Sequence, residues 1–259
     1  MKKSNKQNSP DETRTPPFET DDLRKNLTKF LKTPFKDAAT GIELQIGNFR
    51  WGVYAFFDYD GEPIYVGQTN ERVGTRIRRH LTNQRTDAVA MSVLDPFEVC
   101  NIRVWPLAQY QQVTAKSDGF KEAKANLNAL ERAVYDQAIA DSEFKAVLNE
   151  KDPGAKKKVV IPRHCEGEIV SDKVRELRSH PDFRISRRAL IISRLAQVIA
   201  ERQVKGGLRR VLLVQAKRLQ WLADRRFEAL GGASSVQVKR EDEEEGKDEG
   251  EHDEETTES

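Results

Sequence analysis

Cysteine is nearly absent from this sequence: Cys100 and Cys165 are the only two among 259 residues. They form no CxxC pair, and no cysteine–histidine pairs stand at zinc-finger spacing. A disulfide scaffold and a structural zinc site are therefore excluded. No apolar run approaches the roughly 18 residues needed to cross a bilayer. The first residues, MKKSNKQNSPDETRTPP, lack an apolar stretch behind their two lysines. The expectation is a cytoplasmic protein without signal peptide or membrane anchor. GxSxG, the P-loop, GxGxxG and HExxH are also missing, which removes the motif-based readings for serine hydrolases, nucleotide binding and zinc proteases.

What is abundant is charge. Asp, Glu, Lys and Arg make up 33% of the residues, and the mean hydropathy is −0.72. The formal net charge of +2 conceals an asymmetry. Residues 241–259 hold 12 of the 42 acidic residues and one of the 44 basic ones, leaving 43 basic against 30 acidic in residues 1–240. A body of about +13 suits a polyanion, and nucleic acid is the commonest.

Five stretches follow from pattern. Residues 1–18 are polar and proline-containing and read as a disordered lead. Residues 19–150 hold the chemistry-bearing domain. A short helix starts at Thr20-Asp21-Asp22, carries Leu23, Leu27, Phe30 and Leu31 on one face, and ends at Pro34. Gly52–Phe57 and Glu62–Gly67 are β-rich runs joined by Asp58-Tyr59-Asp60-Gly61. Glycine supplies positive φ there and aspartate caps its own turn, so an antiparallel hairpin is expected. A helix follows over 72–81, a third strand over 97–107, and a long helix over 120–140. Residues 151–169 read as a basic connector. Residues 170–232 form a helical region, with helices over 187–203 and 208–230 zipped by Leu190, Ile191, Leu195, Val198 and Ile199 against Leu208, Val211, Leu212, Gln215, Leu219 and Leu222. Their basic residues are expected on the outer faces. Residues 233–259 read as a disordered acidic tail.

Cutting a phosphodiester needs a group to orient or deprotonate water, a cation over the developing charge, and a carboxylate for a divalent metal. The hairpin offers Tyr54 and Tyr65. The next helix offers Arg76 and His80, which share a face at i and i+4, with Arg72, Arg78 and Arg79 competing for the phosphate. The long helix offers Glu131. Taken singly, the tyrosines suit half-buried strand positions, His80 a surface position and Glu131 a solvated helix charge. Lys156, Lys157 and Lys158 suit a solvated loop or a salt-sensitive DNA contact.

Gly52-Val53-Tyr54, followed after ten residues by Tyr65-Val66-Gly67, resembles the two-part signature of the GIY-YIG nuclease superfamily, with valine for isoleucine in both halves. Arg76 and Glu131 follow in the family's order, and Asn149 stands where a closing asparagine is often found, though Asn126 and Asn128 compete with it. His80, one turn after Arg76, is similar to the restriction-endonuclease branch. The resemblance covers about residues 50–150. It implies an α+β fold with a small central three-stranded, mostly antiparallel sheet flanked by helices, with the C-terminal helical region appended. It also implies an endonuclease that hydrolyses double-stranded DNA with Mg²⁺ or Mn²⁺. Tyr54 would act as base or water-orienting group with help from His80, and Tyr65 would position water or phosphate. Arg76 would stabilise the phosphorane, Glu131 would be the sole protein metal ligand, and Asn149 would orient a phosphate or Glu131. Arg79 and Lys156–Lys158 would add DNA contacts.

A restriction-type enzyme, paired as a homodimer through the C-terminal helices, is favoured. A repair or mobile-element nuclease, a non-catalytic DNA-binding protein that keeps the fold, and a helical scaffold are the alternatives. The acidic tail has a functional reading as a DNA mimic lying on the basic body. Deleting residues 241–259 is then expected to raise DNA affinity and change its salt dependence, measured by fluorescence anisotropy across a salt series. Unchanged affinity and slope would reduce the tail to a solubility element.

Overall fold

The structure is a computed structural model, and it describes residues 18–82, 93–154, 159–202, 204 and 206–232. Lys156, Lys157 and Lys158, the lead up to residue 17 and the acidic tail lie outside the described residues. Helix α1 spans Phe18–Leu31. It is followed by β1 (Pro34–Lys36) and β2 (Glu43–Gln45), an antiparallel pair with no strand pattern in the sequence. Strands β3 (Gly52–Phe57) and β4 (Pro63–Thr69) are the expected hairpin. Then come α2 (Val73–Leu81), β5 (Asn101–Pro106), α3 (Phe120–Asp141), β6 (Cys165–Glu168), α4 (Asp172–Arg178), α5 (Pro181–Glu201) and α6 (Gly206–Ala229).

The fold is α+β, as expected, with two differences in the sheet. It has four strands in the order β4-β3-β5-β6, each pair antiparallel. The fourth strand, β6, falls in the stretch read as a connector. Gly167 lets it pass against α1, because a Cβ there would stand 2.4 Å from the Phe30 ring. The third strand is shorter than expected: Asp95 caps a 3-10 turn over Pro96–Glu98 by accepting from the Phe97 N–H, so pairing on β6 begins only at Asn101.

β3 is buried along its whole length because it lies between β4 and β5 with both faces covered. Val53, Ala55 and Phe57 pack with Leu127, Leu130 and Val134 of α3. Tyr54 and Phe56 belong to a second core with α1 and α2 residues, joined by Leu195, Ile199, Leu208, Val211 and Val214. The apolar stripe of the last two helices therefore serves the sheet as well as the helix pair.

Those helices also correct the placement of their charges. Arg188 and Arg218 were expected outside, yet they and Arg184, which precedes the expected helix start, are each 2–3% exposed. All three donate to one oxygen: Asp58 Oδ2 lies 3.0 Å from Arg184 Nη2, 3.0 Å from Arg188 Nη2 and 2.6 Å from Arg218 Nη2. Glu98 adds a bond from Arg188 at 3.0 Å, and Asp60 pairs with Arg184 at 2.7 Å. The other oxygen of Asp58 builds the hairpin turn, accepting from the N–H groups of Asp60 and Glu62 while Gly61 takes φ +77°.

Removing one partner from a buried ionic cluster leaves charges uncompensated and costs about 3–5 kcal/mol, whereas an exposed pair contributes under about 1 kcal/mol. Asp58→Ala is expected to lower unfolding free energy by that larger amount in urea titration. Arg226→Ala, which breaks an exposed pair with Asp182, is the control. Equal costs for the two would mean that the cluster does not hold the helices.

Candidate active site

The hairpin register sets Tyr54 opposite Gly67 and Phe56 opposite Tyr65. The Tyr54 ring crosses Gly67 so closely that a Cβ there would lie 2.6 Å from the hydroxyl and 2.8 Å from the Tyr65 ring. Gly52 is pressed the same way, with a Cβ position 2.9 Å from the Trp105 carbonyl oxygen. Both glycines of the paired motif are thus needed for contact distance rather than for backbone freedom. Helix α2 is set down by another close approach, Gly74 against Gly47, and by the Val73 N–H donating to the Phe49 carbonyl at 2.8 Å.

Tyr65, Arg76, His80, Glu131 and Asn149 line one cavity of about 420 Å³, with Glu150, Lys151, Asp152 and Pro153 forming part of its wall. Tyr54 is completely buried, its ring 6.3 Å from Tyr65 and 5.8 Å from His80, and Tyr65 lies 5.3 Å from His80. The Tyr54 hydroxyl and Arg76 Nε are buried without a well-formed hydrogen bond, although the two side chains are electrostatically coupled. Of the arginines of α2, Arg79 holds Glu71 through two bonds at 2.8 and 2.9 Å, and Arg78 donates to Thr28 Oγ1 at 3.3 Å. Arg76 is the one at the cavity, and Arg79 would have to leave Glu71 to touch DNA.

Asn149 is also at the cavity, but its carboxamide is committed elsewhere. Its oxygen accepts from the Val66 N–H at 3.1 Å and its nitrogen donates to the Val66 carbonyl at 2.7 Å. With the Leu148 N–H donating to Ile64 at 2.7 Å, this segment covers the free edge of β4. Its carboxamide thus clamps the strand between Tyr65 and Gly67.

Burial pushes the Tyr54 hydroxyl far above its ordinary pKa, and neighbouring Tyr65 adds to this, while Arg76 pulls the other way. Tyr54 is therefore neutral near pH 7. Burial also pushes the Glu131 carboxyl up to about 7, opposed by Lys124, by a hydrogen bond from Gln68 and by Arg76. Among the described residues no three His, Cys, Asp or Glu side chains cluster as a metal cage. The donor set fits one hard divalent cation all the same. Mg²⁺ commonly takes one or two carboxylates and fills its octahedron with water and phosphate oxygens, and a cation beside Glu131 would offset the desolvation its carboxylate suffers. Gln68 and Lys124, which carry no sequence signal for the site, surround Glu131 together with Asn128, the sequence competitor of Asn149. Lys124, Asn128 and Glu131 lie four and three positions apart on one helix, and Gln68 directly follows Tyr65-Val66-Gly67.

The tyrosine-bearing hairpin, the arginine helix and the long helix that carries Glu131 thus meet at one cavity. Residues 50–119 match the family model of the GIY-YIG catalytic domain, which supports a likeness to the GIY-YIG nuclease superfamily over that stretch. Glu131 and Asn149 lie beyond the matched residues. Neither the curated proteins nor the solved structures gave a match. Among the described residues no helix is long and apolar enough to cross a membrane.

Because the folded-state pKa of Glu131 lies above its unfolded value of about 4.3, folding favours the protonated form. The resulting cost is absent below about pH 4 and is complete above about 7. Glu131→Gln is expected to raise the thermal midpoint of the metal-free protein at pH 8 and to do so much less at pH 4. A difference independent of pH would show that the carboxylate is not desolvated.

Proposed function

We propose that the chain is a divalent-metal-dependent endodeoxyribonuclease that hydrolyses phosphodiester bonds of double-stranded DNA, of restriction type. The observation that carries this is the meeting of Tyr65, Arg76, His80 and Glu131, from three separate elements, at one cavity with Tyr54 packed behind them. The GIY-YIG match supports the nuclease class. The i, i+4 pairing of Arg76 with His80 on α2 supports the restriction type.

Glu131 would hold Mg²⁺ or Mn²⁺, which when bound lends Lewis-acid charge to a phosphate oxygen and makes bound water more acidic. The remaining roles belong to the chain's own side chains. Arg76 presents a planar fork that suits two phosphate oxygens, and its buried Nε gains an acceptor when phosphate enters. Tyr54, held neutral by burial, orients water through its hydroxyl rather than serving as a phenolate base. His80, whose ring lies 5.8 Å from that of Tyr54, is the group beside it that would take the proton. Tyr65, on the cavity wall, positions the phosphate or the attacking water.

Incubation with supercoiled DNA and Mg²⁺ or Mn²⁺ tests this. Wild type is expected to nick the DNA. Glu131→Gln, Tyr54→Phe and His80→Ala are each expected to lose about 10²-fold or more, the scale of a positioned acid–base group. No nicking with either metal would leave the non-catalytic DNA-binding reading, and full activity in Glu131→Gln would remove the metal ligand. Sequenced ends at a fixed site support the restriction type, and random ends a repair or mobile-element role.

A further inference from the structure

A second cavity, of about 250 Å³, shares no lining residue with the candidate active site. Phe57 of β3 and Trp105 of β5 give it aromatic walls, α3 supplies Gln137 and Asp141, and His164, just ahead of β6, stands against Trp105 with ring centroids 5.2 Å apart. Trp105 is 4% exposed, and its indole N–H is buried with no acceptor among the described residues. A buried tryptophan N–H ordinarily finds a partner. Trp51, for comparison, donates to the Val113 carbonyl at 3.1 Å. The other polar groups of the cavity divide into used and unused. Arg103 is used: its Cζ lies 4.3 Å from the Phe57 ring centroid and its Nε donates to Glu166 at 3.0 Å. The Gln137 amide and the Asp141 carboxylate are exposed and make no side-chain bond among the described residues.

We propose that this cavity binds a nucleobase. It is smaller than the roughly 300–1,000 Å³ of sites for drug-sized ligands, so it takes one small ring system. Its aromatic walls suit a flat π face, since bases stack on such side chains whatever their identity. Its unused polar groups ask for an acceptor at Trp105, a donor at Asp141 and either at Gln137. A base edge carries acceptors and N–H donors side by side. An aliphatic ligand would leave the indole N–H unpaired, and an anion would meet Asp141 with Arg103 already held by Glu166. Two sources share the chemistry: a free nucleoside, and a base turned out of a DNA strand. The second rests on the nuclease reading and the first does not. Helix α3 is common to both cavities, with Gln137 and Asp141 six and ten residues beyond Glu131. That is about 9–15 Å along the helix axis, the span of roughly three or four stacked nucleotides.

The indole N–H resonances of full-length ¹⁵N-labelled protein report on the site, the Trp105 signal being assigned by its loss in Trp105→Phe. Adenosine or cytidine is expected to move that signal downfield and saturably as the hydrogen bond forms, leaving the Trp51 signal in place. By calorimetry, Trp105→Phe, which keeps a ring but lacks the donor, and Gln137→Ala and Asp141→Ala, at exposed positions, are each expected to weaken binding about threefold to tenfold, the scale of one hydrogen bond. Short duplexes added in EDTA separate the sources. A Trp105 shift with a duplex carrying one mismatched adenine, but not with the fully paired duplex, assigns the base to DNA, and a shift with nucleosides alone assigns a free ligand. Either upholds the proposal. No shift with nucleosides or the mismatched duplex, an equal shift with both duplexes but none with nucleosides, a shift with benzene alone, or one dissociation constant in wild type and all three variants would overturn it and leave a void. A nucleoside-dependent shift in a protein that nicks no DNA would uphold the base site while the nuclease reading fails, so the two are separable.

Discussion

The carboxylate of Asp58 sets the frame. One of its oxygens closes the β3–β4 turn by accepting two backbone N–H groups, and the other receives three arginines from the C-terminal helices. The same atom group thus fixes the hairpin that sets Tyr54 across Gly67 and ties the last helices onto that hairpin. Buried ionic clusters are weak evidence for net stability, since desolvation of the ions offsets most of their attraction. Their consequence here is geometric. With one acceptor shared by three guanidiniums, a slip of α5 or α6 against the turn would leave a buried charge unpaired.

From that frame the helical region reaches the site. Arg210 of α6 donates to the Asn149 carbonyl at 2.8 Å and to Asp152 at 2.6 Å, and Gly207 passes so near Glu150 that a Cβ would lie 2.2 Å from its carbonyl oxygen. Asn149 in turn clamps Val66, between the second tyrosine and its glycine. The C-terminal helix α6 therefore braces the 149–152 segment that forms part of the cavity wall. That placement consumes the apolar stripe that would otherwise suit dimerisation, leaving Leu190 and Leu213 as the half-exposed leucines in the middle of these two helices.

The hairpin, the order of the helices and the residues around the cavity were legible because their signals are local. Asp58 to Gly61 spells its own turn, β-formers flank it, and Arg76 and His80 share a helix face by spacing alone. The parts that were not legible depend on partners far away in sequence. β6 is four residues, Cys165 to Glu168, with no apolar alternation, and it exists because β5 offers an edge and Gly167 admits Phe30. The buried arginines did leave a trace. On α5 the buried positions run Arg184, Arg188, Ile191, Leu195, Ile199, and on α6 Val211, Val214, Arg218 and Leu222 fall on one side. The stripe continues through arginine at helical spacing, and an arginine in register with leucines is a buried ion waiting for its carboxylate. The bonds of the Asn149 carboxamide to Val66 were not legible either, since which backbone a carboxamide meets is a property of the strand edge it covers.

This interior chemistry also relocates the charge argument. Three arginines inside the protein face Asp58, Glu98, Asp60 and Glu62, so the cluster is close to neutral and contributes little field outside. The basic excess of residues 1–240 must then be carried by the rest of the chain. Around the cavity Arg76, Lys124 and Lys151 stand with Glu131, Glu150 and Asp152, a mixed rim rather than a uniformly positive one. A polyanion approaching such a rim is repelled by carboxylates unless they are paired. Asp152 is paired with Arg210 and Tyr135, and Glu131 is held by Gln68 with Lys124 behind it. These pairings lower the electrostatic cost of bringing a polyanion to the rim.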